Sequence, residues 1–260
     1  MNILLTNDDG IYAPGIWALE KQFSINHKVV VVAPDRERSA VGHGITLAEP
    51  LRVGRVSVNG TLGYAVSGKP ADCVKLAMLE LIDFKPDMLI SGINPGANIG
   101  ACINYSGTVA AAREAALYGL LSIAVSIQSF DIESYEEAAC FTEKLAQDVY
   151  EQGLPFGTLL NVNLPNIPMQ EISGIQISRQ GLEKNFREYY EKRIDPRNQS
   201  YHWLGMDMRS YSQNLEIDGD ALAQNYISIT PIKCDMTDYS LMENLKSWDI
   251  QKNLNVKNIK

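Results

Sequence analysis

Residues 3–34 read ILLTNDDGIYAPGIWALEKQFSINHKVVVVAP, and this stretch decides the fold. The apolar residues 3–5 predict a buried strand that ends in a polar turn at residues 7–10. Behind Pro14, apolar residues recur at the spacing of one helix face, and the continuous apolar residues 29–32 predict a second strand. Strands that are apolar throughout and are separated by helices indicate a parallel sheet covered on both faces.

The same alternation of short apolar runs and amphipathic stretches continues beyond this opening unit. It predicts a helix at 71–82, a strand at 88–90, a helix at 108–117, a strand from 123 and a helix at 133–152. Residues 174–235 are strand-like, polar and interrupted by Asn, Asp and Gly, which predicts an antiparallel or hairpin excursion. Apolar residues at 241, 245 and 248 predict a short amphipathic tail helix that needs a partner surface.

Composition narrows the function classes. The 260 residues are 45% hydrophobic and 21% charged, which is typical of a globular protein able to bury a core without disulfides. The net charge of −8 argues against a nucleic acid as the main partner, although a small anion can still bind locally. The four cysteines form no CxxC pair, and neither a signal peptide nor a membrane-spanning stretch is evident. We therefore expect a cytoplasmic protein with no membrane partner.

Polar side chains follow three of the predicted strands. Asp8 and Asp9 follow the first, Ser39 follows the second and Asn94 follows the third. Ligands of open parallel sheets bind beyond the carboxyl ends of the strands, so these loops should meet at one edge. Two adjacent carboxylates repel each other unless a cation or a proton lies between them. With a hydroxyl and an amide oxygen they form an all-oxygen set that suits Mg²⁺ or Mn²⁺ rather than zinc.

The alanine-rich helix begins at a Ser106-Gly107-Thr108 sequence. Ser106 or Thr108 can cap the helix, and the free N–H groups of its first turn can hold an anion. A divalent cation that faces such a group of N–H donors is what cleavage of a phosphate ester requires.

Each of these features also has a plainer interpretation. Asp8-Asp9-Gly10 can be a turn and helix cap, and Ser106-Gly107-Thr108 can be an ordinary N-cap. His43, in the loop Gly42-His43-Gly44, is either a mobile lid residue or a surface histidine. Other phosphate-binding and hydrolase frameworks fit poorly, because the sequence has no GxxxxGK[ST], no GxGxxG or DxDxT after the first strand, and no GxSxG.

Five motifs occur in a characteristic order, and together they closely resemble the SurE family of stationary-phase survival proteins. They are Asn7-Asp8-Asp9-Gly10-Ile11, Ala33-Pro34-Asp35-Arg36-Glu37-Arg38-Ser39, Pro70-Ala71-Asp72-Cys73-Val74, Ser91-Gly92-Ile93-Asn94 and Tyr105-Ser106-Gly107-Thr108-Val109.

The resemblance implies a metal-dependent phosphomonoesterase that hydrolyses nucleoside 5′-monophosphates, with 3′-monophosphates and short polyphosphate as further candidate substrates. It implies a Rossmann-like catalytic domain, here residues 1–170. A smaller C-terminal β-hairpin and tail region, residues 171–260, would serve assembly into a homodimer or homotetramer and can return to the main sheet.

Carried over by motif, the resemblance also implies one divalent cation per subunit, Mg²⁺ or Mn²⁺. Asp8 and Asp9 would be catalytic, and the metal ligands would be Asp8, Asp9, Ser39 and Asn94. The phosphate-binding residues would be Asn98, Ser106, Gly107 and Thr108.

Two departures from the family pattern leave the substrate range open. Lys69 stands where the family usually has Thr, and residues 100–104 replace a more acidic segment. Two rival functions remain, a non-catalytic nucleotide-binding or regulatory protein and a metal-dependent hydrolase of another ester. Paired aspartates argue against the first, because they repel an anionic ligand.

Overall fold

The computed structural model describes residues 1–182, 186–208 and 212–248. The strands are β1 (Asn2–Thr6), β2 (Lys28–Pro34), β3 (Val53–Val58), β4 (Thr61–Val66), β5 (Met88–Pro95), β6 (Leu121–Ile127), β7 (Thr158–Leu164), β8 (Gly174–Ile177), β9 (Phe186–Ile194), β10 (Ser200–Met208) and β11 (Tyr226–Lys233). The α-helices are α1 (Pro14–Phe23), α2 (Pro70–Leu76), α3 (Gly107–Leu117), α4 (Glu136–Gln152), α5 (Asp218–Ala223) and α6 (Tyr239–Lys246).

Nine strands form one sheet in the order β3-β4-β2-β1-β5-β6-β7-β11-β8. Neighbours pair in parallel except β3 with β4 and β11 with β7. The predicted α/β class with a mostly parallel sheet is therefore confirmed, and the hairpin β9–β10 is a separate two-stranded sheet. Strands from both sides of residue 170 enter the main sheet, because β8 and β11 extend it beyond β7.

Helices cover both faces of the sheet, and alternate strand residues define two cores. In β1, Ile3 and Leu5 pack in the core that contains α1 and α4, whereas Leu4 packs in the core that contains α2 and α3. The period of two along a strand sends successive side chains to opposite faces. Apolar residues at every position are thus explained by burial on both sides.

Two stretches differ from the expectations. The sequence analysis assigned no element to residues 53–66, which form the antiparallel pair β3–β4 around a tight turn at Asn59-Gly60. Both turn residues have positive φ, 52° and 87°, as a two-residue hairpin of this type requires. The helix predicted at 71–82 is α-helical only to Leu76 and continues as a π-helical turn, Ala77–Leu81.

The predicted tail helix exists as α6, which begins at Tyr239 and leaves all its side chains at least partly exposed. Residues 249–260 of the predicted C-terminal region lie outside the described residues. Across the described ranges, every helix is too short or too polar to span a membrane.

Candidate active site

The turn after β1 presses against the loop after β2. Asn7 closes this turn, since its Oδ1 accepts from the Gly10 N–H at 3.1 Å and its Nδ2 donates to the Gly10 carbonyl at 3.0 Å. Gly10 has φ +100°, and a Cβ there would lie 2.9 Å from the Arg36 carbonyl carbon. The backbone N–H of Arg38 donates to the Asp8 carbonyl at 2.7 Å. The first two strand-end loops therefore meet, as predicted.

Asp8 lies buried against the first turn of α3. The Thr108 hydroxyl donates to Asp8 Oδ1 at 2.5 Å, and the backbone N–H groups of Gly107 and Thr108 also face this carboxylate. A Cβ on Gly107 would lie 2.7 Å from the Asp8 Cβ, so only glycine allows this approach. Burial raises the pKa of Asp8 above its ordinary value, and the three hydrogen-bond donors from α3 work against that rise.

Asp9 has the opposite environment. Its Oδ2 is buried and has no hydrogen-bond partner among the described residues. Burial, together with the negative charges of Asp8 and Glu37, raises the pKa of Asp9 to about 7. A buried carboxylate oxygen without a donor is costly unless a proton or a cation binds it.

The other two predicted metal ligands reach the same sheet edge. Ser39 is exposed, and it directly follows Arg38, whose N–H donates to the Asp8 carbonyl. The Ser39 hydroxyl donates to Glu37 Oε1 at 2.6 Å. Asn94 is at the end of β5, where its Nδ2 donates to the carbonyls of Pro95 and Gly96 at 3.3 and 2.6 Å. These bonds occupy the amide nitrogen and leave the amide oxygen available for a ligand.

The predicted phosphate-binding residues are held firmly. Ser106 is the N-cap of α3, and its Oγ accepts from the Val109 N–H at 3.1 Å. Asn98 is buried, and its Nδ2 donates to Ser126 Oγ at 2.8 Å. The Asn98 backbone is fixed by Asn163, whose Oδ1 accepts from its N–H, and by Asn161, whose Nδ2 donates to its carbonyl, both at 2.8 Å.

Two further hydroxyls are buried without partners next to this cluster. Thr6 and Ser91 are register partners on β1 and β5, on the face that carries α2 and α3, and neither hydroxyl has a hydrogen-bond partner within the described ranges. Unpaired buried hydroxyls are uncommon and indicate a place for water or a ligand. The unsatisfied polar atoms therefore concentrate at the sheet edge that carries Asp8 and Asp9.

His43 and Lys69 are anchored rather than free. His43 Nε2 lies 2.8 Å from Oε2 of Glu114 on α3, and Lys75 Nζ donates to the other oxygen of Glu114 at 2.9 Å. Lys69 Nζ donates to the Ile45 carbonyl at 3.3 Å. These two contacts hold the loop that follows Ser39 against α2 and α3. The side chain of His43 is therefore attached to α3 through Glu114 and is not a free surface histidine.

Several residues at the site were missed by the sequence analysis. The negative charge of Glu37 helps to raise the pKa of Asp9. Asn161 and Asn163 hold the backbone of Asn98 by hydrogen bonds. Tyr135, at the N-cap of α4, lies close enough to Asp9 that burial and then the Asp9 charge raise the pKa of its phenol. The two asparagines had a visible signal, because they interrupt an otherwise apolar strand at alternate positions.

Comparison with known proteins assigns the chain to a family. A family model described as Survival protein SurE matches residues 3–187. The chain belongs to the SurE family. A protein named 5′-nucleotidase SurE from Desulfatibacillum aliphaticivorans is 51% identical, with 97% of this chain and 100% of the relative covered. Another of the same name from Natranaerobius thermophilus is 46% identical over 96% and 99% of the two chains.

A solved SurE structure shares the fold. The crystal structure of the SurE protein from Aquifex aeolicus superposes with a TM-score of 0.82 and is 39% identical, with 95% of this chain and 98% of that chain covered. The nine-stranded sheet and its helices are therefore those of the SurE family.

The residues of this SurE-family chain fit a divalent cation. The donor set contains two carboxylates, a hydroxyl and an amide, and one carboxylate oxygen of Asp9 is buried without a donor. No group of three or more His, Cys, Asp and Glu side chains arranged for metal binding occurs in the described part of the chain. A site with two carboxylates and neutral oxygens agrees with that finding and suits a hard cation that keeps water or a phosphate oxygen as further ligands.

Proposed function

We propose that the chain is a metal-dependent 5′-nucleotidase, which hydrolyses nucleoside 5′-monophosphates to nucleoside and phosphate. The observation that carries the proposal is the pair Asp8 and Asp9. Asp8 is hydrogen-bonded to α3, and Asp9 has a buried oxygen without a partner among the described residues. The two relatives, whose alignments cover nearly the full chain, are named 5′-nucleotidase SurE, and these names support the same activity.

In this proposal, Asp8, Asp9, Ser39 and Asn94 hold one Mg²⁺ or Mn²⁺ per subunit. When bound, a divalent cation supplies Lewis acidity toward the phosphoryl group and lowers the pKa of a water molecule. Thr108 and the first N–H groups of α3 fix the Asp8 carboxylate in direction and oppose the rise in its pKa that burial causes. Without that support, burial alone would favour the protonated acid, which is a poor ligand.

Asn98, Ser106, Gly107 and Thr108 would steady the phosphate. Asn98 is fixed through its backbone and its amide nitrogen, so its side chain is oriented before any ligand binds. The N-terminus of α3 carries partial positive charge, which favours developing negative charge on the phosphoryl oxygens. Fixed donors of this kind need no reorganisation during the reaction.

The assembly and location of the chain belong to the same proposal. The β9–β10 hairpin exposes Tyr190, Trp203 and Leu204, each by more than half, and α6 also has no buried side chain. An isolated two-stranded hairpin is marginally stable in water, so a partner surface is expected to cover it. We propose a homodimer or homotetramer in the cytoplasm.

The test is phosphate release from a panel of nucleoside 5′- and 3′-monophosphates and short polyphosphate. It is run with Mg²⁺, with Mn²⁺ and with EDTA. Release from the 5′-monophosphates that requires the metal supports the proposal. Absence of release with every metal, from protein shown to be folded, favours the rival function of a non-catalytic nucleotide-binding protein.

A further inference from the structure

Phe130 exposes its ring to solvent at the sheet edge that carries the candidate site. The side chain is 89% exposed and follows β6, whose carboxyl end lies beside the end of β5. Single exposed apolar residues are common on protein surfaces, so exposure alone carries no conclusion. The position of the ring and the rigidity of its turn are what distinguish it.

The ring of Phe130 lies over the loop that carries Asn94. A Cβ on Gly96 would lie 2.9 Å from Phe130 Cε1, so the ring rests directly on that glycine. The Gly96 carbonyl in turn accepts from Asn94 Nδ2 at 2.6 Å. Phe130 is therefore separated from a candidate metal ligand by one residue in contact with both.

The turn that presents Phe130 is fixed on both sides. Ser129 Oγ donates to the Asp131 carbonyl at 2.7 Å and accepts from the Asp131 N–H at 3.0 Å, closing the turn around the ring. Asn166 Nδ2 donates to the same carbonyl at 3.1 Å, and Ile132 packs against the main core. The backbone that carries the ring is thus held in place before any ligand binds, which lowers the entropic cost of using the ring as a contact surface.

We propose that Phe130 is the surface on which the nucleobase of the substrate stacks. The inference rests on the proposed function, and it adds a base-binding position to the phosphate position. In a nucleoside monophosphate, base and phosphate are one ribose apart, which matches a ring placed just beyond the metal-ligand loop. Every base has a π-face, so stacking gives affinity for nucleosides with little choice among bases.

The experiment compares Phe130→Ala with Phe156→Ala, a matched control. Phe156 is also highly exposed, at 78%, but it precedes β7 at the opposite edge of the sheet, near Gly119. For Phe130→Ala we expect the KM for nucleoside 5′-monophosphates to rise ~5- to 20-fold. The KM for ribose 5-phosphate, which has no base, should not change. Phe130→Trp should retain the wild-type KM, and Phe156→Ala should match wild type throughout.

Competitive inhibition separates base binding from phosphate binding. The Ki of adenosine should rise in Phe130→Ala by the same factor as the KM, whereas the Ki of inorganic phosphate should stay constant. An unchanged KM for nucleotides, or an equal rise for ribose 5-phosphate, would overturn the proposal. A rise in the KM for nucleotides in Tyr105→Ala but not in Phe130→Ala would also overturn it, because Tyr105 is another exposed aromatic residue next to the α3 cap.

Failure of the proposed function gives a different result from failure of this inference. If wild-type protein releases no phosphate with any metal, the 5′-nucleotidase proposal fails. Calorimetric affinity for AMP then tests the stacking surface directly. Weaker AMP binding by Phe130→Ala than by Phe156→Ala supports it, and equal binding refutes it.

Discussion

The loops around Asp8 and Asp9 and the β9–β10 hairpin depart from ordinary protein surfaces in opposite ways. At the first, buried polar atoms of Thr6, Asp9 and Ser91 have no partners among the described residues. At the second, large apolar side chains such as Trp203 are exposed. Buried unpaired polar atoms suit a small polar ligand, whereas exposed apolar side chains suit another protein surface. Chemistry and assembly are thus expected to be separable by mutation.

The largest effect on activity is expected when the charge of Asp9 is removed from the loops around Asp8 and Asp9. We expect Asp9→Asn to lower kcat/KM for nucleoside monophosphates by roughly 10³-fold or more, because the proposed metal site loses a charged ligand. Folding should be retained, since the carboxylate oxygen it replaces has no protein partner. Steady-state kinetics and circular dichroism check both parts, and near-normal turnover would remove Asp9 from the site.

Adding one methyl group at Gly107 should perturb the loops around Asp8 and Asp9 less than the loss of the Asp9 charge. Gly107→Ala places a Cβ 2.7 Å from the Asp8 Cβ, so Asp8 or α3 must move. We expect kcat/KM to fall ~100-fold and stability to fall by about 1–3 kcal/mol. The control is Gly54→Ala on β3, where a Cβ meets nothing within 4 Å. Equal effects of the two changes would mean that the close approach to Asp8 is unimportant.

The raised pKa of Asp9 predicts a stability that depends on pH when metal is absent. The folded-state pKa of about 7 lies above the unfolded value of 3.8, so the folded protein keeps a proton that the unfolded chain releases. Stability should therefore fall as the pH rises from about 4 to about 7, and the loss should stay constant above that range. Allowing for partial solvent screening, the loss is roughly 1–2 kcal/mol.

Thermal unfolding in EDTA of wild type and Asp9→Asn measures this difference directly. The variant should melt a few degrees higher than wild type at pH 8, and the two curves should converge at pH 4. A constant difference across the range would contradict the assigned titration.

The smallest effect on activity is expected for a change in the β9–β10 hairpin. Trp203→Ser should weaken the proposed dimer or tetramer by about 2 kcal/mol, or ~30-fold in dissociation constant. Activity per subunit should change by less than about twofold, because Trp203 is not among the residues proposed to hold the metal or the phosphate. Light scattering over a concentration series, with kinetics on the same samples, separates the two readouts. A parallel loss of activity would show that assembly and chemistry are coupled.

The sequence predicted the parallel core because successive residues of its strands are apolar, as at residues 3–5 of β1 and 29–33 of β2, and burial on two faces explains that pattern. It did not predict β3 and β4, although the alternating residues around Asn59-Gly60 have the pattern of a hairpin. The convergence of Asp8 with the loop of Ser39 followed from the rule for strand ends.

Local contacts at the site were harder to predict. The sequence allowed either Ser106 or Thr108 to cap α3, and the structure gives the cap to Ser106 while Thr108 binds Asp8. The choice depends on where a residue 100 positions away arrives, which no local pattern encodes. For the same reason, the contact of His43 with Glu114 and that of Phe130 with Gly96 required the folded chain.

The chain leaves the main sheet after β8 and re-enters it at β11, which is the strand next to β8. The part of the chain that carries the β9–β10 hairpin is an insertion with neighbouring ends, because Arg179 and Ile217 form a bridge between them. In evolutionary terms, such an insertion can lengthen, shorten or change its surface while the catalytic edge stays constant. One catalytic architecture can then acquire different quaternary structures in different lineages without a change in its chemistry.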